Sequence, residues 1–272
     1  MAESVKTGLI PAVQIARDAV LRHAPNGLGY AAFGDNHISD TELERMVQAI
    51  PSAISAALGS KLYFFVPLAM SPHREDGSSS PPVTPVLIAP QYSAQLGEDA
   101  ICHRNVSLEG TLAGKEGVFI STRLLSDRFA LAFELFINAG HAFVDAVGVP
   151  ESFGELVWNQ ALADVRGETS QDAWEDRNTA LHQGAVGGLM PVVDGERSID
   201  EKARTSYTEA AFSDAIAIYL LSLAVDFDYS ELREREYPLL APQALAERLR
   251  AVHKLFPPNP TYEFAIRYRR RA

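Results

Sequence analysis

Cysteine is nearly absent from these 272 residues: Cys102 stands alone, so no intrachain disulfide can form. A reducing compartment suits such a chain, and a cytoplasmic protein is expected. Long apolar runs are missing as well. The longest, residues 215–225, is broken at Ser222 and is too short to span a bilayer, so no membrane association is expected. The opening residues, MAESVKTGLIPAVQIARDAVLRHA, lack a basic start followed by an apolar core, and no secretory signal is expected. Positive charge is scarce: 24 Lys and Arg stand against 35 Asp and Glu, a formal net charge of -11. Such a surface repels phosphate backbones, and no nucleic-acid partner is expected. Only the end, with Arg267, Arg269, Arg270 and Arg271, is locally basic, and it reads as a solvated tail or edge strand. Gly-x-Gly-x-x-Gly, a Walker lysine and Gly-x-Ser-x-Gly are also lacking, which removes the sequence signals for a dinucleotide fold, a P-loop and a serine nucleophile elbow.

What remains is an ordinary globular composition, 47% hydrophobic and 22% charged, long enough to close a sizeable core. The first sixty residues read as helical. One helix is expected over residues 11–23, and a second follows Ser39, where Ser39, Asp40 and Glu42 favour a start by capping and charge–dipole attraction. Residues 27–34 read as a turn-rich break. Residues 61–70 (KLYFFVPLAM), 83–89 and 117–121 (GVFIS) are aromatic and β-branched and read as strands, with Pro67 and Pro85 at ends or edges. Residues 71–82 form a polar loop rich in Pro and Ser.

Beyond Ser121 the pattern turns helical. A long helix is expected over residues 123–147, ended by Gly148 and Pro150. A capping box of Ser152 with Glu155 would open the next, stopping near Gly167. Thr169 with Asp172, Ser198 with Glu201, Asp228 with Glu231, and Pro242 mark further starts. Residues 184–195 form a glycine-rich connection, and residues 262–268 (YEFAIRY) read as a terminal strand. Helices, then strands, then helices imply a single α+β domain: a small N-terminal layer of helices and sheet, residues 1–122, packed on a mainly helical part, residues 123–272.

The helix over residues 123–147 carries the most information. Leu124, Leu125, Phe129, Leu131, Phe133, Leu135, Phe136, Ile137, Phe143, Val144 and Val147 spread almost all round its axis, as in a buried helix. Its polar positions Asp127, Glu134, Asn138, His141 and Asp145 follow at offsets of seven, four, three and four. At about 100° per residue all five fall within a sector of roughly 60°. An unsatisfied buried polar group costs about 1–3 kcal/mol, so this stripe must meet polar partners, a wet cleft or a metal. Candidate partners lie on the long helix that follows Ser198: Glu209 and Ser213 on one face, Tyr207 and Asp214 on another. Asp164, Glu168, Asp172 and Glu175, near Trp158 and Trp174, read as a solvated acidic face. Cys102 and His103 are strand neighbours that point to opposite faces, unlike a nucleophile and its base.

Residues 136–148, FINAGHAFVDAVG, resemble the active-site helix of zincin metallopeptidases, whose segment has the form H-E-x-G-H followed by small and apolar residues and an acidic one. Gly140 and His141 match the glycine and the second histidine. Downstream, EAAFSD at residues 209–214 is similar to the E-x-x-F-A-E segment of gluzincins, whose first glutamate, here Glu209, is the third zinc ligand. The resemblance covers about residues 117–223. Two positions depart from it: Ile137 stands for the first metal histidine and Asn138 for the catalytic glutamate. A peptidase zinc needs three protein ligands and a carboxylate base, and asparagine accepts no proton at neutral pH.

The resemblance therefore implies a gluzincin-like protein with a degenerate metal site. Peptidase activity is not expected, nor is a cofactor; any zinc would sit on His141 and Glu209. Such a protein would bind a protein or small-molecule partner or play a structural role. Two other readings stay open. One is a divergent hydrolase or other acid–base or metal enzyme using Glu134, His141, Asp145 and Glu209, with Asn138, Ser213 and Asp214 in the same cleft. The other is a helical interaction domain with a polar core network and no pocket at the stripe.

Overall fold

From the amino end, the structure, a computed structural model, describes residues 8–35, 37–70, 86–97, 102–124, 127–181, 199–232 and 237–267. The 71–82 loop, the 184–195 connection, the helix start at Ser198 and Arg269 to Arg271 lie outside these. The elements in chain order are β1 (Ile10–Pro11), α1 (Ala12–Asp18), β2 (Arg22–His23), β3 (Gly29–Ala32), α2 (Asp40–Gln48), α3 (Ser52–Ala57), β4 (Lys61–Val66), β5 (Leu68–Met70), β6 (Leu87–Ala89), α4 (Ala94–Gly97), β7 (His103–Ser107), β8 (Glu116–Ser121), α5 (Arg128–Val147), α6 (Glu151–Leu162), α7 (Gln171–Ala180), α8 (Glu201–Ala224) and α9 (Pro242–Leu255). They make an α+β fold divided into two units, residues 1–138 and 139–272, with the boundary inside α5.

The first unit is built on a five-stranded sheet of order β2-β3-β4-β8-β7. β3, β4 and β8 are parallel, and β2 and β7 close the two edges antiparallel. A second, antiparallel sheet has the order β1-β6-β5. The KLYFFVPLAM run feeds both sheets. Pro67 has no N–H to give to a ladder, so β4 ends before it and β5 begins after it. Phe64 and Phe119, register partners on β4 and β8, stack with centroids 4.7 Å apart. The buried side chains at the next turn are satisfied locally: Ser121 Oγ accepts from the Ala69 N–H at 2.9 Å, and Thr122 Oγ1 donates to Val66 O at 3.2 Å. Ser39 caps α2 through the full capping box with Glu42.

Three expectations for this unit are corrected. Residues 29–32 are a strand and not part of a turn, because pairing with β4 in the sheet overrides the local glycine signal. The first helix ends at Asp18; Ala19 is extended, and Arg22 and His23 pair with β3 instead. The long helix starts at Arg128, after a 3-10 turn at Thr122–Leu124, and Asp127 Oδ1 accepts from the Ala130 N–H at 3.0 Å to cap it.

In the second unit α6, α7 and α9 pack on α8, whose residues from Ala211 to Leu221 are all buried. Helix starts differ from the expected ones by a residue or two. Pro150 precedes α6, and Ser152 lies inside it; Ser170 caps α7 and Asp200 caps α8 through their side chains. Among the described residues Asp228 and Glu231 support the 3-10 turn Tyr229–Leu232, held by the Asp228 N–H on Glu231 Oε1 at 3.0 Å. α6 stops at Leu162 and α7 at Ala180, before Gly167 and Gly184. Residues 262–267 form no strand; Phe264 is instead held by stacking on His253 at 4.9 Å and edge-on to Tyr219 at 5.2 Å. α5 itself is long and apolar enough to cross a membrane by composition alone, yet Leu131, Leu135, Phe136 and Ala139 are fully buried in protein.

Candidate functional site

The stripe on α5 is divided between the units. In the first, Asp127 is exposed at the helix start, Glu134 is half-buried and Asn138 is buried. Asn138 turns back on its own helix: its Nδ2 donates to Glu134 O at 2.7 Å and to Glu134 Oε1 at 3.2 Å. The Glu134 carboxylate also acts on the Cys102 thiol. Burial first, then the charge and hydrogen bond of Glu134, push that thiol far above its ordinary range, against a smaller opposing effect of Arg104 and Asn138. A neutral thiol on a carboxylate is no nucleophile at neutral pH. Glu134 thus has structural partners that the sequence did not indicate, since Cys102 lies 32 residues upstream, just before the edge strand β7 of a sheet whose order the sequence does not give.

In the second unit His141 is half-buried and Asp145 exposed, and both line an open cleft of about 290 Å³. α5 contributes His141, Val144 and Asp145; α7 contributes Asp172, Glu175 and Asp176; α8 contributes Ser206, Glu209 and Ala210. Five carboxylates and one imidazole favour cations and repel anions. Burial, then Asp172 and Glu175, push the Asp176 carboxyl up from its ordinary value. His141 and Glu209 therefore share one cleft. Ser213 and Asp214 do not line it: Ser213 Oγ donates to Ala210 O at 3.0 Å, and Asp214 Oδ2 accepts from Thr169 Oγ1 at 2.8 Å.

The approach of α5 to α8 depends on Gly140. A Cβ there would lie 2.6 Å from Ser213 O, so only glycine admits this spacing. Gly140→Val is expected to lower stability by about 2 kcal/mol or more, because overpacking against backbone outweighs the gain of about 0.5 kcal/mol in helix propensity. Urea denaturation checks it; an unchanged midpoint would show that the two helices slide apart freely.

The same unit holds a polar core around Glu168, a residue expected on a solvated face. Glu168 is 0% exposed, as is Arg248, and Arg177 is 2% exposed. Arg248 Nη1 donates to Glu168 Oε2 at 2.8 Å, Arg177 Nη1 to Glu168 Oε1 at 3.3 Å and Tyr207 Oη to the same Oε1 at 2.6 Å. Arg248 Nε donates to Gln160 Oε1 at 2.8 Å. Burial lowers the Arg248 pKa, but Glu168 and Tyr207 more than offset this, and it lies above its ordinary value. Asp164, Asp172 and Glu175 are exposed as expected; Glu168 is the exception, because the segment after α6 pairs with residues 238–241 and carries it inward. The sequence signal for this core is a pair of arginines at helical positions with apolar residues one turn away, Arg177 and Arg248.

Among the described residues no group of three His, Cys, Asp or Glu side chains is placed to hold a metal ion. His141 and Glu209 supply two donors where a peptidase zinc needs three, so the residues present do not fit that metal. No protein-family model matches this chain, and no curated protein or solved structure is similar enough to it to count as a relative.

Proposed function

We propose that this is a zincin-like protein whose metal site has degenerated, and that it acts by binding at the acidic cleft without hydrolysing peptides. One observation carries the reading: His141 of α5 and Glu209 of α8, the residues matching the two surviving ligands of the motif, line the same cleft. The strand β8 ahead of α5 and the glycine-spaced contact of α5 with α8 suit it as well. The chemistry at the two substituted positions supports loss of the peptidase step. Ile137 has no donor atom, and Asn138 cannot take a proton from water. The charge of the cleft selects a cationic ligand, such as an amine or a basic side chain.

Restoring the missing groups tests the kinship. The Ile137→His/Asn138→Glu double variant is expected to bind one zinc per chain after dialysis, measured by elemental analysis, while the wild type retains none. Adding His141→Ala or Glu209→Ala to that variant abolishes the zinc. A folded double variant without zinc, or stoichiometric wild-type zinc that His141→Ala removes, overturns the proposal. The open cleft also favours a second reading, an acid–base enzyme in which His141 works with Asp145 and Glu209, because the imidazole is reachable from solvent.

A further inference from the structure

We infer that Asp214 is a pH-sensitive latch that ties the amino end of α7, and with it one wall of the acidic cleft, to α8. Asp214 is 5% exposed and lies one residue beyond Ser213, on the part of α8 packed inward. Its carboxylate accepts from Thr169 Oγ1 at 2.8 Å. Ser170 is the cap of α7, its Oγ accepting from the Ala173 N–H at 3.2 Å. The latch therefore holds Thr169, the residue directly before the one that caps α7. One turn further on, α7 presents Asp172, Glu175 and Asp176 to the cleft, opposite Ser206 and Glu209 of α8.

The groups facing Asp214 are few. Glu168, from the segment before α7, repels it, and Arg248 of α9 attracts it. Arg177 of α7 and Gln160 of α6 are turned to Glu168 and Arg248. Gly140 of α5, against the backbone of Ser213, carries no charge. Burial pushes the carboxyl up to about 6, with the neighbouring Ser170 and Thr169 side chains holding it down in part. An ionised carboxylate accepts strongly from the Thr169 hydroxyl; a protonated one carries a donor of its own and accepts more weakly, so protonation loosens that bond.

The sign follows from linkage. The folded value lies above the ordinary 3.8, so the native chain keeps through pH 4–6 a proton that the unfolded chain has released. The contribution of Asp214 to stability falls as pH rises through that window and is level above it. Ionisation thus closes the latch on α7 while costing the fold some stability.

Trp174 of α7, whose backbone N–H bonds to Ser170 O at 3.1 Å, reports the latch in the full chain once Trp158→Phe leaves it as the sole indole. Its fluorescence is expected to titrate with a midpoint of about 6. Asp214→Asn should abolish the transition. Thr169→Val, which removes one bond to the charged form, should raise the midpoint by about half a pH unit or more. His141→Gln should leave it in place, which separates the latch from the nearby imidazole. A flat wild-type signal between pH 5 and 7.5, a transition surviving Asp214→Asn or lost in His141→Gln, or an unmoved midpoint in Thr169→Val overturns the inference. The last of these decides the matter if Asp214→Asn does not fold. No ligand enters the measurement, so its outcome is separate from that of the binding role.

Discussion

Arg248→Met is expected to lower the stability of the fold by about 3–5 kcal/mol, among the largest effects available to a single side chain in this protein. Arg248 and Glu168 are both 0% exposed, and their bond at 2.8 Å is one of three that Arg248 makes to Glu168 and Tyr207. Methionine fills much the same volume, so the loss isolates charge and hydrogen bonding from packing. It leaves Glu168 with Arg177 and Tyr207 only, and leaves Gln160 Oε1 without its donor from α9. Arg17→Met, which breaks the exposed pair of Arg17 with Asp18 at 2.9 Å, should have no measurable effect, because water screens that pair. Equilibrium urea unfolding of both variants checks the contrast. Equal and small losses would mean that water reaches Glu168.

Gly167→Ala is expected to cost about 3 kcal/mol or more and to lower the melting temperature by roughly 10 °C. Gly167 has φ of +80°, where a side chain is strained, and a Cβ there would lie 2.1 Å from Leu239 O and 2.4 Å from Pro238 O. The backbone around it has no room to yield. Glu168 N–H bonds to Pro238 O and Leu240 N–H to Glu168 O, each at 3.0 Å, and Ala241 N–H bonds to Arg166 O at 2.9 Å. Gly167 O also accepts from Arg177 Nη1 at 3.1 Å, so any shift loosens the ion cluster itself. The two variants therefore act on one structure, and the Gly167→Ala/Arg248→Met double variant should lose less than the sum of the single losses. Thermal unfolding followed by circular dichroism gives the numbers; strict additivity would show that the turn and the cluster are independent.

Much of the fold was legible because it is written in local chemistry. The apolar girdle and the terminating Gly148 marked α5, Ser39 with Glu42 marked α2, Pro242 marked α9, and KLYFFV and GVFIS marked two central strands. What failed was what depends on a partner distant in sequence. β3 is a strand only because β4 lies beside it, and residues 262–267 are not one because no strand does among the described residues. The helical stripe was read with the right spacing, but spacing says which residues share a flank and not what meets them. Asn138 and Glu134 meet each other and Cys102, whereas His141 and Asp145 meet a cleft.

By itself the sequence determined the α+β class and the buried character of α5 and α8. These follow from periodicity and residue type, which act over a few turns of chain. Only the tertiary structure decided that Glu168 is buried between two arginines, that Asp214 serves the start of α7 rather than the cleft, and that the cleft is walled by acids from α7. Burial is a property of what packs against a residue, and a charge is held inside only when its counter-charge arrives from elsewhere in the chain.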